Sequence, residues 1–284
     1  MKARVLKVEP NVYKVKTEEG KELKCMARGN MRLTKLKPLV GDEVNLNSDW
    51  CIDKIMPRKN EFIRPPIANI DQIIMVMATA NPKPDLTLLD KQLVMAEKNG
   101  VDILICLNKI DLNDDCDEII DTYERIGYQV ITTDAKNGFG IDKLAVLLKG
   151  KITAFTGNSG VGKSALTNNI FKQVISEEGL VSDKTLKGKH TTKYVELFEI
   201  APDTFIADTP GFSSYEVQGI SHKELEKYFI EFQSFIPDCQ YRGCSHIKET
   251  RCGVKDAVEK NKITKGRYER YCMLYQKLKE EKKW

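Results

Sequence analysis

Residues 157–164 read Gly157-Asn158-Ser159-Gly160-Val161-Gly162-Lys163-Ser164, with Ala165 next. The apolar run 151–156 (KITAFT) comes directly before them, and the helical stretch 163–171 begins with them. A strand, a GxxxxGKS loop and a helix in that order make a phosphate-binding unit. Glycine frees the backbone to turn its N–H groups onto phosphate oxygens. The helix adds its positive N-terminal end. Lys163 supplies a point charge at the β- and γ-phosphates, and Ser164 a hydroxyl for Mg²⁺. An ordinary glycine-rich turn needs neither the lysine nor the flanking strand and helix.

Outward from the loop, apolar runs alternate with helical stretches: 70–80 (IDQIIMVMATA), 86–98, 101–107 (VDILICL), 128–133 (YQVITT) and 141–149. Strands are expected again at 194–200 (YVELFEI) and 204–208 (TFIAD). Buried strands separated by helices predict an α/β domain with a mostly parallel sheet. At the end of the run 101–107 stands Asn108-Lys109-Ile110-Asp111. A carboxylate there accepts two hydrogen bonds from N1 and N2 of guanine, a donor pair that adenine lacks. Asn108 can hold the loop and the base edge, and the Lys109 stem can lie over the ring. With the phosphate loop, these residues specify GTP over ATP.

The strand 204–208 ends in Asp208-Thr209-Pro210-Gly211. Asp208 is placed to hold Mg²⁺ through water, and the Gly211 N–H to sense a γ-phosphate. The preceding segment 180–193 (LVSDKTLKGKHTTK) is polar and basic. Thr191 or Thr192 is expected to complete the Mg²⁺ shell when the γ-phosphate is present, so this segment should switch between order and disorder. Many GTPases orient water with a glutamine just after this motif. Here the position is Phe212, so slow intrinsic hydrolysis and an activator are expected.

The 284 residues exceed one small module, and 41% hydrophobic with 30% charged residues is a globular balance. No run approaches the ~20 apolar residues of a membrane span. The N-terminal MKARVLKVEP lacks the apolar core of a signal peptide. The expected location is therefore cytoplasmic. Residues 1–65 carry fifteen Lys/Arg against nine Asp/Glu, 66–218 fifteen against twenty-two, and 219–284 fifteen against ten. Basic ends around an acidic middle suggest nucleic acid held by the ends; solvated lysine-rich faces are the plainer explanation. The segments ARVLKV, VYKVKT, ELKCMA, DEVNL and WCIDKI, before Arg64-Pro65-Pro66, predict a small five-stranded barrel. An OB-fold is the first choice and an SH3-like barrel the alternative. Val40-Gly41-Asp42-Glu43-Val44 supports the first, as a Gly-Asp turn feeding an apolar strand.

The third part, 219–284, reads as helical around three clustered cysteines. Cys239-x4-Cys244-x-His246-x5-Cys252 offers three thiolates and an imidazole within fourteen residues. That spacing predicts one structural zinc ion in a closed tetrahedral site. The aromatic and aliphatic residues Leu225, Tyr228, Phe229, Phe232 and Phe235 fall at helical spacing, as do Tyr268, Tyr271, Tyr275 and Leu278. They read as core rather than as base-stacking platforms. The domains are therefore expected at 1–65, 66–218 and 219–284.

The motif order is unusual: NKID precedes the phosphate loop, a circular permutation of the small-GTPase order. The old ends lie close together in such folds, so the nucleotide parts still meet. With GNSGVGKS, NKID, KHTT and DTPGF in this order, the chain resembles the circularly permuted GTPases of small ribosomal subunit maturation, the RsgA (YjeQ/YloQ) family. The resemblance covers essentially the whole chain, including the barrel, the cysteine cluster and 264–271 (TKGRYERY). It implies GTP hydrolysis to GDP and phosphate stimulated by the 30S subunit, contact with 16S rRNA, and a monomer. His190, in the segment 180–193, is the candidate to orient the attacking water, which the resemblance supports; a surface histidine in a mobile loop is the plainer alternative. The family's base-contacting SAK segment is Asp134-Ala135-Lys136 here, so the Ala135 N–H is expected to reach guanine O6 without the serine. The residues alone leave two other readings: a GTP-dependent RNA-binding factor of translation, and a signalling switch with a protein partner.

Overall fold

The computed structural model describes residues 1–29, 36–113, 115–178, 195–208 and 217–281. They form two compact units. The first holds Met1–Lys83, Val101–Asp114 and Ile131–Ser214; the second holds Pro84–Gly100, Asp115–Val130 and Tyr215–Trp284.

The first unit begins with β1 (Lys2–Glu9), β2 (Val12–Thr17), β3 (Glu22–Cys25), β4 (Glu43–Leu46) and β5 (Ile52–Ile55). β1 pairs antiparallel with both β2 and β4, β2 with β3, and β4 with β5. A parallel bridge, Ala27 to Ile52, closes the ring between β5 and the end of β3. The order is thus 1-2-3-5-4-1, a closed five-stranded barrel. Alternation along each strand puts Val5, Val15, Val44 and Ile52 inside, all fully buried. The Gly-Asp turn before β4 has a steric cause. Gly41 has φ +88°, and a Cβ there would lie 2.0 Å from Ala68 O. Asp42 is buried and receives Arg58 Nε and Nη2 at 2.7 Å each, a two-pronged ion pair that compensates its lost water.

The expected boundary at Arg64-Pro65-Pro66 is the turn of a small hairpin, β6 (Glu61–Ile63) with β7 (Pro66–Ala68). Beyond it lie β8 (Gln72–Ala78), β9 (Asp102–Asn108), β10 (Gln129–Thr133), β11 (Ile152–Thr156), β12 (Glu196–Ala201) and β13 (Thr204–Asp208). Their order is β10-β9-β8-β11-β13-β12. β9, β8, β11 and β13 run parallel, and β12 is antiparallel to β13. This is the mostly parallel sheet that the apolar runs predict. β12 also pairs with β1, so one sheet runs on into the barrel, with Lys7 Nζ 2.9 Å from Glu196 Oε2 at the seam.

Helices follow the strands: α1 (Leu86–Asn99), α2 (Asp117–Ile126), α3 (Ile141–Leu148) and α4 (Lys163–Glu178). Asp85 starts α1 by accepting from Leu88 N at 2.9 Å, and Gly100 ends it in the left-handed conformation. Leu144 and Leu148 of α3 and Leu166 and Ile170 of α4 join Ile74, Val76, Leu104 and Phe155 of the sheet in one core. Each such side chain contributes about 1.5–3 kcal/mol on burial.

α1 and α2 belong to the second unit, with α5 (Gly253–Glu259) and α6 (Lys265–Glu281). Val94 of α1 shares a core with Phe229, Phe232, Tyr271, Leu274 and Leu278. These aromatics are core, as expected. The stretch 222–236, however, is not one α-helix. It breaks into 3-10 turns at Leu225–Tyr228, Ile230–Phe232 and Ile236–Asp238. Phe232 N donates to Phe229 O and Phe235 N to Phe232 O, both at 2.9 Å. At three residues per turn Phe229, Phe232 and Phe235 fall directly above one another, and Pro237 lacks the N–H that a longer helix needs. Arg267, fully buried, binds this unit together. Its Nη1 lies 2.5 Å from Asp90 Oδ1 of α1 and its Nε donates to Glu231 Oε1 at 2.7 Å. Burial opposes its charge, but the two carboxylates outweigh it and hold its pKa well above the ordinary value. No helix among the described residues is long and apolar enough to cross a membrane.

Candidate functional site

The phosphate loop sits where the parallel strands end. β11 is buried along its length, and α4 begins at Lys163. Gly157 has φ +137°, and a Cβ there would meet Val76 O at 2.1 Å; one on Gly162, at φ +101°, would meet Asn108 Nδ2 at 2.2 Å. Glycine is required because the loop presses on β8 and β9. Lys163 Nζ donates to Gly157 O and Asn158 O at 2.8 Å each, so the ammonium spans the loop. Its partial burial lowers its pKa from the ordinary value. Ser159, Gly160, Ser164 and Ala165 face solvent on the open side.

Asn108 joins the phosphate loop to the base loops. Its Nδ2 donates to Val161 O at 2.8 Å, and its Oδ1 accepts from Ala135 N and Thr133 Oγ1, each at 3.1 Å. It is buried, and both ends of its amide serve the protein. Lys109 has φ +65° and donates from Nζ to Asn81 O, while Thr79 Oγ1 donates to Lys109 O at 2.7 Å. Ile110 is half-buried and Asp111 exposed at the mouth. Asp134 takes over the turn that a serine would hold: its Oδ1 accepts from Lys136 N at 2.9 Å and Asn137 N at 3.2 Å. Asn169 of α4 donates to Ala135 O. Asp208 ends β13, one residue past the Ala154–Ala207 pair with β11. His190, Thr191, Thr192, Gly211 and Phe212 lie outside the described residues.

In the second unit, the ligand atoms of Cys239, Cys244, His246 and Cys252 lie within 4.8 Å of one another. His246 Nδ1 is 3.3 Å from Cys252 Sγ and 3.6 Å from Cys239 Sγ. With Nδ1 turned to the sulfurs, Nε2 carries the proton and donates to Glu226 Oε2 at 2.7 Å. His246 has φ +59°, and its carbonyl accepts from Tyr268 Oη at 2.6 Å. Glu249 closes the knuckle by accepting from Ser245 N at 2.9 Å and from Ile247 N and Lys248 N at 3.1 Å. Burial pushes the Cys244 thiol up to about 12 and raises that of Cys252. A buried thiol set of this kind ionises for a cation, so three sulfurs and one nitrogen suit one metal ion.

A family model described as RsgA GTPase matches residues 55–218, and one described as RsgA N-terminal domain matches 2–50. The chain belongs to the RsgA GTPase family. It is therefore a GTP-hydrolysing enzyme that binds GTP and GDP and uses Mg²⁺. A relative from Alkaliphilus metalliredigens, named small ribosomal subunit biogenesis GTPase RsgA, is 42% identical over 94% of each chain. One of the same name from Ruminiclostridium cellulolyticum is 43% identical over 97% of this chain and 93% of its own. The crystal structure of YjeQ from Thermotoga maritima matches with a TM-score of 0.85 and 36% identity over 98% of both chains. That of YloQ, titled a circularly permuted GTPase, matches at 0.81 and 32% over 99% of this chain and 95% of its own.

Around this RsgA-type site the structure adds residues that sequence spacing passes over. Thr79 and Asn81 hold Lys109, Asn169 holds Ala135, and Glu226 orients His246. Asn81-Pro82 directly after an apolar run is a turn signal that marks the first pair. Nothing local marks Asn169 or Glu226, whose partners are 34 and 20 residues away.

Proposed function

We propose that this chain hydrolyses GTP to GDP and phosphate on the small ribosomal subunit during its biogenesis, and that the 30S particle stimulates the reaction. The observation that carries this is the near full-length likeness to relatives named for that role, joined to a phosphate loop and NKID motif that Asn108 ties together. Asp111 reads guanine N1 and N2, Lys109 covers the ring, and the backbone of Ala135 and Lys136 borders O6. Gly157 to Ala165 wrap the phosphates, with Lys163 on the β- and γ-oxygens. Ser164, Asp208 and Thr191 or Thr192 would hold Mg²⁺, which supplies charge neutralisation on those oxygens. His190 orients the attacking water in place of the glutamine that Phe212 replaces. Cys239, Cys244, His246 and Cys252 would hold one structural zinc, with no ligand position left for chemistry.

The barrel is of OB type, and its charge with that of 219–284 fits 16S rRNA. The division into 1–65, 66–218 and 219–284, a monomeric state and a cytoplasmic location complete the reading. The test is GTP turnover of the full chain alone, with purified 30S and with purified 50S subunits. Stimulation by 30S and not by 50S is expected; equal rates in all three would overturn the proposal.

A further inference from the structure

Trp50 stands in the turn between β4 and β5 with φ +59°. A bulky residue in the left-handed region is a true outlier, and glycine or asparagine would occupy it at less cost. The turn is held firmly all the same. Asn47 Oδ1 accepts from Asp49 N at 3.0 Å and Cys51 N at 2.9 Å, and Trp50 N donates to Asn47 O at 3.2 Å. The strain does not serve the core, since Trp50 is 41% exposed and the barrel core consists of other residues. Lys21 Nζ lies over one face of the ring, 5.1 Å from its centroid. Met26, 55% exposed, accepts from Ile52 N two residues past Trp50, and Arg28 N donates to Ile52 O while its guanidinium meets Asp53. The result is a firmly held, exposed indole with one ammonium over it.

We propose that Trp50, through the ring face that Lys21 does not cover, is a stacking platform for an unpaired base of RNA. This rests on the reading of the barrel as an RNA-binding module. An indole offers a flat face to any base, and a neighbouring ammonium meets the phosphate that follows it. The charge agrees: residues 1–65 carry fifteen Lys/Arg against nine Asp/Glu. A protein partner needs roughly 800 Å² of contact on this side, and a single exposed indole falls far short.

The chain has two tryptophans, so Trp284→Phe leaves Trp50 as the sole indole reporter. In that background, a short oligoadenylate should quench the fluorescence as it binds. In the full chain, Trp50→Ala should weaken both oligoadenylate and 30S binding about tenfold. The slope of log affinity against log salt should not change, because a stacked base releases no counterions. Trp50→Phe should retain most of the affinity. Trp50→Gly separates folding from binding: its melting temperature should equal or exceed the wild type while RNA affinity falls. Unaltered RNA affinity in Trp50→Ala, or a lowered melting temperature in Trp50→Gly with wild-type affinity, overturns the platform. Weakened 30S binding with unchanged oligoadenylate binding also overturns it, in favour of a protein contact on the subunit. If wild-type protein binds neither probe, the RNA reading itself fails; if it binds both and Trp50 is silent, only the platform does.

Discussion

Lys163 is held by two carbonyls of its own loop in a partly buried position. Burial that lowers its pKa also means that its charge is poorly solvated, so a phosphate oxygen gains more from it than from a surface lysine. Lys163→Ala should therefore reduce turnover roughly a hundredfold or more, the scale of one lost electrostatic contact in a dry site. Wild-type turnover in a steady-state GTPase assay would remove the lysine from the phosphate site. Asp111 is exposed at the mouth while Asn108 behind it is spent on the protein. In the proposed reading, base choice falls to Asp111. Asp111→Asn should shift preference from guanine to xanthine nucleotides, because an amide donates where the carboxylate only accepts. Competition binding with GDP and XDP measures this, and unchanged preference would exclude the residue from base recognition. Asn108→Ala differs in kind, since it leaves Val161 O and Ala135 N without their shared partner and should loosen both loops at once.

At the scale of elements, the knuckle shows how one carboxylate organises a loop. Glu249 accepts three backbone N–H bonds and the Ser245 hydroxyl; burial alone would raise its pKa, but these bonds hold it down at about 2. A carboxyl depressed in the folded state contributes stability above its unfolded pKa of about 4.5, and that contribution fades as pH falls towards 2. Glu249→Gln should thus be less stable than wild type at pH 6, with the gap in urea midpoint narrowing through this window. A constant gap would mean that the carboxylate's charge is not what closes the loop. Elements of this kind were only partly legible in the sequence. The parallel sheet was, because its strands are buried on both faces and read as continuous apolar runs. So were the phosphate loop and the cysteine spacing, whose chemistry fixes local distances. The run 222–236 was not, because Phe229, Phe232 and Phe235 suit a helix of either three or 3.6 residues per turn. The Arg267–Asp90 pair was not either: 177 residues separate partners that only the fold brings together.

For the whole molecule, the chain path changes the account of how the GTP site communicates. The sequence suggests one link, where the segment after Gly211 leads into the cysteine cluster. The compact units show more. The chain passes between them at 83/84, 100/101, 114/115, 130/131 and 214/215. Two of these crossings bracket β9 and NKID, and a third comes four residues before Asp134-Ala135-Lys136. α1 starts five residues after Asn81, the acceptor of Lys109. It ends in a unit whose core joins its Val94 to Cys244 and Cys252. Loss of the metal would therefore loosen the seat of α1, and with it the chain that leads to the base loops. A bound partner can shift the site only by its differential affinity for two arrangements, which requires that the second unit move as a body. Cys244→Ser should accordingly lower 30S-stimulated turnover roughly tenfold, about 1.4 kcal/mol of coupling, and basal turnover much less. Both rates are measured in the variant, with bound zinc assayed alongside. Lost zinc with full 30S stimulation would show that the second unit does not carry the signal, and would leave the continuous sheet from β13 through β12 to the barrel as the route.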